Sequence, residues 1–217
     1  MAKSKKAFKK EDWIKVYKAY LLKYGQTVHN LQTLLVYTER DFSEFGHHFD
    51  DLVELESTVL STYFENALKV TNKDKEFDKL DHKDQHLTFL YLLIDSVAED
   101  ELFLRVMKRE KSKDPSFIMN VQKHLNQQDL SWSKLSSWRP DIMDDLNINP
   151  KRSLLFNHAL SCMLFFLDDK SKEKQDTDAY IEKTTDLLFK LTDTSTLHSL
   201  LDLGKFFYSR KKASFSL

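Results

Sequence analysis

The sequence predicts an all-α protein. Only three Gly and three Pro occur in 217 residues, too few for the frequent tight turns that sheets need. Apolar residues recur every three or four positions along Leu/Lys/Glu/Asp-rich stretches, the period of an amphipathic helix. Short polar segments carrying helix-capping residues separate those stretches.

The elements follow in order. Trp13, Ile14, Tyr17, Leu21 and Tyr24 predict a first helix over about 11–24, ended by Gly25 as a left-handed cap. Thr27 is expected to cap a second helix through Val28, Leu31, Leu34 and Leu35. Asp41 with Glu44 forms a capping-box pattern for a third, carrying Phe42, Phe45 and Phe49. Asp50 or Asp51 opens a long fourth helix to about Val70. A polar loop over 72–83 precedes helices over about 83–97 and 99–111. Asp114-Pro115 opens the next, since Pro is tolerated at the first helical position. The stretch 126–146, with Trp132 and Trp138, predicts helix broken near Pro140. After Asn149-Pro150 a helix over 154–167 is apolar nearly all round, which predicts burial all round. A polar loop over 168–176 leads to a helix from Asp178 and a last one from Thr194 or Ser195. The fold class expected is a bundle of about nine helices, with no internal repeat.

Composition sets further bounds. Hydrophobic residues make up 41% and charged residues 31%, enough for a core under a solvated surface. Net charge is −1, so there is no global basic bias for nucleic acid. Charge is uneven, however. Lys3, Lys5, Lys6, Lys9 and Lys10 form a basic arm, and Arg210, Lys211 and Lys212 a second cluster; each also reads as a solubilising terminus. Cys162 is the single cysteine, which fits a reducing compartment, and the expected location is cytoplasmic. No apolar stretch follows Lys10 as in a signal peptide. The stretch 154–167 is interrupted by Asn157, His158 and Ser161 and is too short for a bilayer, which takes about 20 residues, so no membrane partner is expected.

Three short helices before a long fourth, at this spacing, resemble the DNA-binding head of the TetR transcriptional-regulator family. Gly25 falls on the family's first Gly, Leu34-Leu35 on its Ile-Ala pair, and His48-Phe49 on its His-Phe. The string Glu44-Phe45-Gly46-His47-His48-Phe49, followed by Leu55-Glu56, is similar to a divergent branch. So are Asp176-Thr177-Asp178-Ala179-Tyr180-Ile181-Glu182-Lys183 and Leu200-Leu201-Asp202-Leu203-Gly204-Lys205-Phe206-Phe207, which match its final two helices. The resemblance implies a helix-turn-helix head over 1–55 and a helical ligand-binding and dimerisation domain over 56–217. It implies DNA, a second copy of the chain and an unknown small-molecule effector as partners, with no cofactor and no enzyme activity. Lys9, Lys10, Thr27, Asn30, Arg40, Ser43, His47 and His48 are the implied DNA contacts. Leu197, Leu200, Leu201, Gly204 and Phe207, a stripe on the last helix, are the implied dimer contacts.

Three positions depart from the family pattern. Glu39 stands at the turn Gly between helices two and three, Gly46 at the recognition-helix Tyr, and Leu52 at the Lys opening helix four. From Glu11 to Asp50 the bases are Lys15, Lys18, Lys23 and Arg40, against the acids Glu11, Asp12, Glu39, Asp41, Glu44 and Asp50. Acids oppose the phosphate contacts that supply non-specific affinity. The second reading is therefore a TetR-like dimer that binds a ligand or partner and has lost its operator.

Other constellations are weaker. His82 and His86 have the i, i+4 spacing of a metal pair, but no third ligand follows, and a solvated helix start is preferred. His47-His48 suit either phosphate contact or packing at a helix edge. Cys162, without a nearby base in sequence, reads as a small core residue. Tyr91, Phe103, Phe117, Trp132, Phe156 and Phe165 could line a ligand cavity, with core packing as the default. No phosphate loop, catalytic Ser motif or paired carboxylates appear.

Overall fold

The structure, a computed structural model, describes residues 7–111, 114–127 and 151–191. Among the described residues there are nine α-helices and no strands. They are α1 (Lys10–Tyr24), α2 (Leu31–Thr38), α3 (Phe42–Gly46), α4 (Leu52–Lys73), α5 (His82–Ala98), α6 (Glu101–Lys111), α7 (Pro115–Gln127), α8 (Lys151–Asp168) and α9 (Gln175–Leu191). The chain forms two compact units. One holds residues 1–73 and 91–130, the other 74–90 and 131–217, so the division falls inside α5.

In the first unit, local chemistry sets the helix ends. The Asp12 carboxylate accepts the Lys9 N–H at 2.9 Å to start α1. Gly25, at φ +67°, ends it by donating to the Leu21 carbonyl at 2.8 Å. Thr27 does not cap α2. It is buried, and Asn30 takes the role, its side chain accepting the Thr33 N–H at 3.0 Å. The cap therefore lies three residues later than the sequence suggested, and Val28 packs in the core ahead of the helix. α2 ends at Glu39 with φ +52°, a left-handed turn that costs an L residue about 1 kcal/mol. Asp41 caps α3 by accepting the Glu44 N–H at 2.8 Å. Asp51 does the same for α4 through Glu54, also at 2.8 Å.

The core of this unit is aromatic. Trp13, Tyr17, Phe45, Phe49, Phe64 and Phe103 are fully buried, and Trp13 meets Phe45 edge-on at 5.1 Å. The buried face of α1 runs through Trp13, Tyr17, Tyr20 and Leu21. Tyr24, expected on that face, is 48% exposed instead, and its ring joins Tyr20 and Tyr37 outside the core. Helix α4 packs along α7, and α1 lies against α6.

In the second unit, a short 3-10 turn over Phe77–Lys79 buries Phe77, whose carbonyl accepts from Gln85 Nε2 at 3.1 Å. Helices α8 and α9 pack together, and the rings of Phe165 and Tyr180 stack at 4.2 Å. Helix α9 begins three residues earlier than Asp178. The Asp169 carboxylate accepts the N–H groups of Ser171 (2.7 Å) and Thr177 (2.9 Å) and the Thr177 hydroxyl (2.6 Å), so the helix start is fixed from upstream. Those bonds hold the Asp169 carboxyl well below the usual range, the Thr177 hydroxyl contributing most. Helix α8 is not buried all round as expected. Leu155, Phe156, Ala159, Cys162 and Phe166 are buried, while Leu154, Ser161, Leu164 and Phe165 are half-buried and Asn157 is exposed. No helix among the described residues is long and apolar enough to cross a membrane.

Candidate functional sites

The residues expected to meet DNA do not form one surface. Lys9 is exposed just before α1, and half-buried Lys10 begins that helix, its ammonium 5.4 Å from the Phe49 ring. Thr27 is buried, and the Asn30 side chain is occupied as a cap. Arg40 is half-buried: its guanidinium bonds both Glu44 oxygens at 3.1 and 3.2 Å and lies 4.1 Å over the Phe8 ring. Ser43 and His47 are exposed, and His47 Nδ1 meets the Ser43 carbonyl. His48 is half-buried, with Nε2 donating to the Phe8 carbonyl at 2.9 Å. Ser43, His47 and His48 share the wall of a cleft of about 360 Å³ with Ala7, Phe8, Asp41 and Glu44. Lys9, Thr27 and Asn30 are not among its lining residues. The expected dimer residues Leu197, Leu200, Leu201, Gly204 and Phe207 lie outside the described residues, as does Trp132.

Phe8 and Glu44 are site residues that sequence reasoning missed. The Phe8 N–H donates to Glu44 Oε1 at 2.6 Å, so Glu44 binds the chain ahead of α1 as well as Arg40. The only signal was the four-residue spacing of Arg40, Glu44 and His48 along one edge, which the acid count treated as charge rather than as partners.

Two buried polar nodes lie deeper. In the first unit, Glu56 on α4 is fully buried. The Tyr17 hydroxyl donates to it at 2.7 Å and the Lys111 ammonium lies 2.7 Å from its other oxygen, which joins α1, α4 and α6. Burial, followed by the Glu56 charge, drives the Tyr17 hydroxyl far above its usual range. Nearby, Asp100 accepts from Lys18 at 2.5 Å and from the Tyr63 hydroxyl at 2.8 Å. Burial pushes the Asp100 carboxyl up, but those two donors outweigh it and the net shift is down.

In the second unit, His86 is not on a solvated helix start. It is fully buried, with Nε2 2.8 Å from His158 Nδ1 on α8. His158 Nε2 lies 2.8 Å from the Thr184 hydroxyl on α9, which donates to the Tyr180 carbonyl at 2.6 Å. Burial lowers the His158 imidazole to about 4. Burial and then the neighbouring His158 lower His86 to about 3, so both rings are neutral near pH 7. One order of donors then fits: Thr184 donates to the carbonyl, so its oxygen accepts from His158 Nε2–H, and His158 Nδ1 accepts from His86 Nε2–H. The sequence marked His158 only as an interruption in an apolar helix. A polar side chain inside such a run was the available signal.

Cys162 is fully buried, as expected, but a base is near it: His158 Nε2 lies 3.7 Å from its sulfur, one helical turn back. Burial raises its thiol to about 11, so it is no nucleophile at neutral pH. Phe103, Phe117 and Phe156 are core residues, and Phe165 stacks on Tyr180. Among the described residues no group of three or more metal-binding side chains converges.

A family model described as tetracyclin repressor-like, C-terminal domain, matches residues 77–207, more than half of the chain. The chain belongs to the tetracyclin repressor-like family. No curated protein and no solved structure gave a match.

Proposed function

We propose that the chain is a TetR-type transcriptional regulator that binds DNA as a homodimer through a head over residues 1–55. Residues 56–217 would supply the dimer contact and the site of a small-molecule effector, in the cytoplasm. The family match over residues 77–207 carries this reading. The order α1–α3 then α4 supports it, as does the left-handed Glu39 at the position where the resemblance expects a turn Gly. Ser43, His47 and the basic arm are the groups left to contact DNA. The stripe Leu197, Leu200, Leu201, Gly204 and Phe207 is the proposed dimer seam.

The test is a gel shift of the full chain against the DNA flanking its own coding region, at low and moderate salt, with light scattering for the oligomeric state. A discrete complex surviving moderate salt, formed by a dimer, is expected. A dimer that shifts no DNA at low salt would favour the second reading, a dimer that binds a ligand or partner without an operator. The engagement of Arg40 by Glu44 is the observation on that side.

A further inference from the structure

We propose that Glu44 is an internal substitute for a DNA phosphate: it occupies Arg40, the one arginine in residues 1–55, and so holds the head in a weakly binding state until a phosphate oxygen displaces it. The proposal rests on the DNA-binding reading above.

The turn between α2 and α3 places Arg40. Its backbone N–H donates to the Leu35 carbonyl at 3.1 Å, and Asp41 directly after it caps α3, so its backbone is fixed on both sides. The side chain runs along α3 to Glu44, one turn further on. Arg40 Nη1 donates to both carboxylate oxygens, at 3.1 and 3.2 Å. Glu44 Oε1 also accepts the Phe8 N–H at 2.6 Å. The Phe8 ring lies 4.1 Å from the guanidinium and meets the fully buried Trp13 edge-on, with centroids 5.2 Å apart. His48 Nε2 donates to the Phe8 carbonyl at 2.9 Å and fixes that residue from the other side. Carboxylate and ring together leave the Arg40 side chain 12% exposed.

A guanidinium and a backbone N–H converging on one anionic oxygen are the donors that a phosphate takes. Glu44 Oε1 fills that position here. In an ordinary exposed i, i+4 pair the side chains trade each other for water at little cost. This pair is covered by Phe8, so solvent screens it less. The exposed residues of α3 and its cap are Asp41, Phe42, Ser43, Gly46 and His47, which include an acid and no permanent cation. Non-specific DNA affinity comes from cations that neutralise phosphates. What the α2–α3 turn contributes therefore depends on whether Arg40 stays with Glu44.

The experiment uses the full chain and a labelled random-sequence duplex, with affinity read by anisotropy across a salt series. Glu44→Gln keeps the size of the side chain and an acceptor for the Phe8 N–H, so the head keeps its packing while the competing charge is lost. It should bind about fivefold more tightly than wild type at low salt. Its salt slope should steepen by about 0.9, the value of one added phosphate contact. Arg40→Gln in the Glu44→Gln background should abolish both gains. Asp41→Asn is the control for charge alone: it removes one acid from the same helix start, and Asn caps as well as Asp. Its gain should stay below about twofold. A wild type that binds no DNA beside a Glu44→Gln variant that binds through Arg40 is the extreme form of the expected result. Wild-type binding that Glu44→Gln leaves unaltered overturns the substitution and leaves the DNA reading standing. So does a gain that survives Arg40→Gln or is matched by Asp41→Asn, since it would then reflect net charge. No salt-dependent binding by wild type or by Glu44→Gln overturns both.

Discussion

The two buried polar nodes solve the same problem with opposite chemistry. In the first unit a full charge is buried: Glu56 lies between the Tyr17 hydroxyl and the Lys111 ammonium. In the second unit neutral rings are linked in series, from His86 through His158 to Thr184. A cation and a donor face the buried carboxylate, so its node is sensitive to the loss of either partner. The neutral relay has no strong partner to lose, but each ring must stay unprotonated in the core. It is therefore sensitive to acid. One unit is vulnerable to mutation of a charge and the other to a change in pH.

Removing the cation should have the largest effect. Lys111→Met keeps a long apolar stem but leaves Glu56 buried with only Tyr17. The expected loss is about 3 kcal/mol of unfolding free energy, at the low end for a broken buried pair because the lysine side chain is 22% exposed. Urea denaturation at pH 7 measures it. A loss under about 1 kcal/mol would mean that water reaches Glu56, and the contrast between the units would fail.

Acid should come next. An unfolded histidine takes up a proton near pH 6.5. His86, held at about 3 in the fold, does not. Between those values the unfolded state binds the extra proton, so stability falls as pH falls, and above about 6.5 this histidine adds no pH dependence. The slope is at most about 1.4 kcal/mol per pH unit for His86, or about 2 kcal/mol from pH 6.5 to 5. His158 acts in the same direction. Urea midpoints at pH 7, 6 and 5 in wild type and His86→Leu check it: the variant should have the flatter profile, and parallel profiles would place the acid sensitivity elsewhere.

A smaller effect separates the two partners of Glu56. Tyr17→Phe removes one hydrogen bond to a charged acceptor and leaves Lys111 in place. The expected cost is about 1.5 kcal/mol, about half that of Lys111→Met. Equal costs would show that the hydroxyl and the ammonium work as one unit rather than as separable contacts.

These nodes also mark where the sequence could and could not be read. Helix periods and caps are local, so Gly25, Asp41, Asp51 and the Pro115 start were legible, and the all-helical fold with them. Glu39 could be placed only through the family pattern. Its left-handed backbone is one that a Gly would hold without strain, and no local pattern in the sequence signals it. Thr27 failed as a cap because it is buried, and Asn30, three residues later, accepts the Thr33 N–H in its place. Glu56, His158 and Phe8 were opaque for a different reason. Their partners lie 39, 72 and 36 positions away in sequence, and only tertiary packing brings such pairs together. A polar residue inside the apolar helix over 154–167 was visible in the sequence, but its partners were not.

The smallest expected effect tests the direction of the histidine relay. Thr184 donates to the Tyr180 carbonyl, so its oxygen can only accept from His158. That places the His158 proton on Nε2 and the His86 proton on Nε2. Thr184→Val has nearly the same shape and deletes the hydroxyl. The cost should be about 1 kcal/mol, because His158 Nε2–H loses a neutral acceptor and is left only the weaker sulfur of Cys162 at 3.7 Å. The tautomer should respond more clearly than the stability. With no acceptor fixing its outer end, His158 can carry its proton on Nδ1 and donate to His86 Nε2, which moves the His86 proton to Nδ1. Ring 15N shifts at pH 7 should show a single Nε2–H form for both histidines in wild type and a mixture in Thr184→Val. A single Nε2–H form in the variant would mean that the sulfur or the ring packing sets the direction. The neutral node would then be held by shape rather than by a chain of donors.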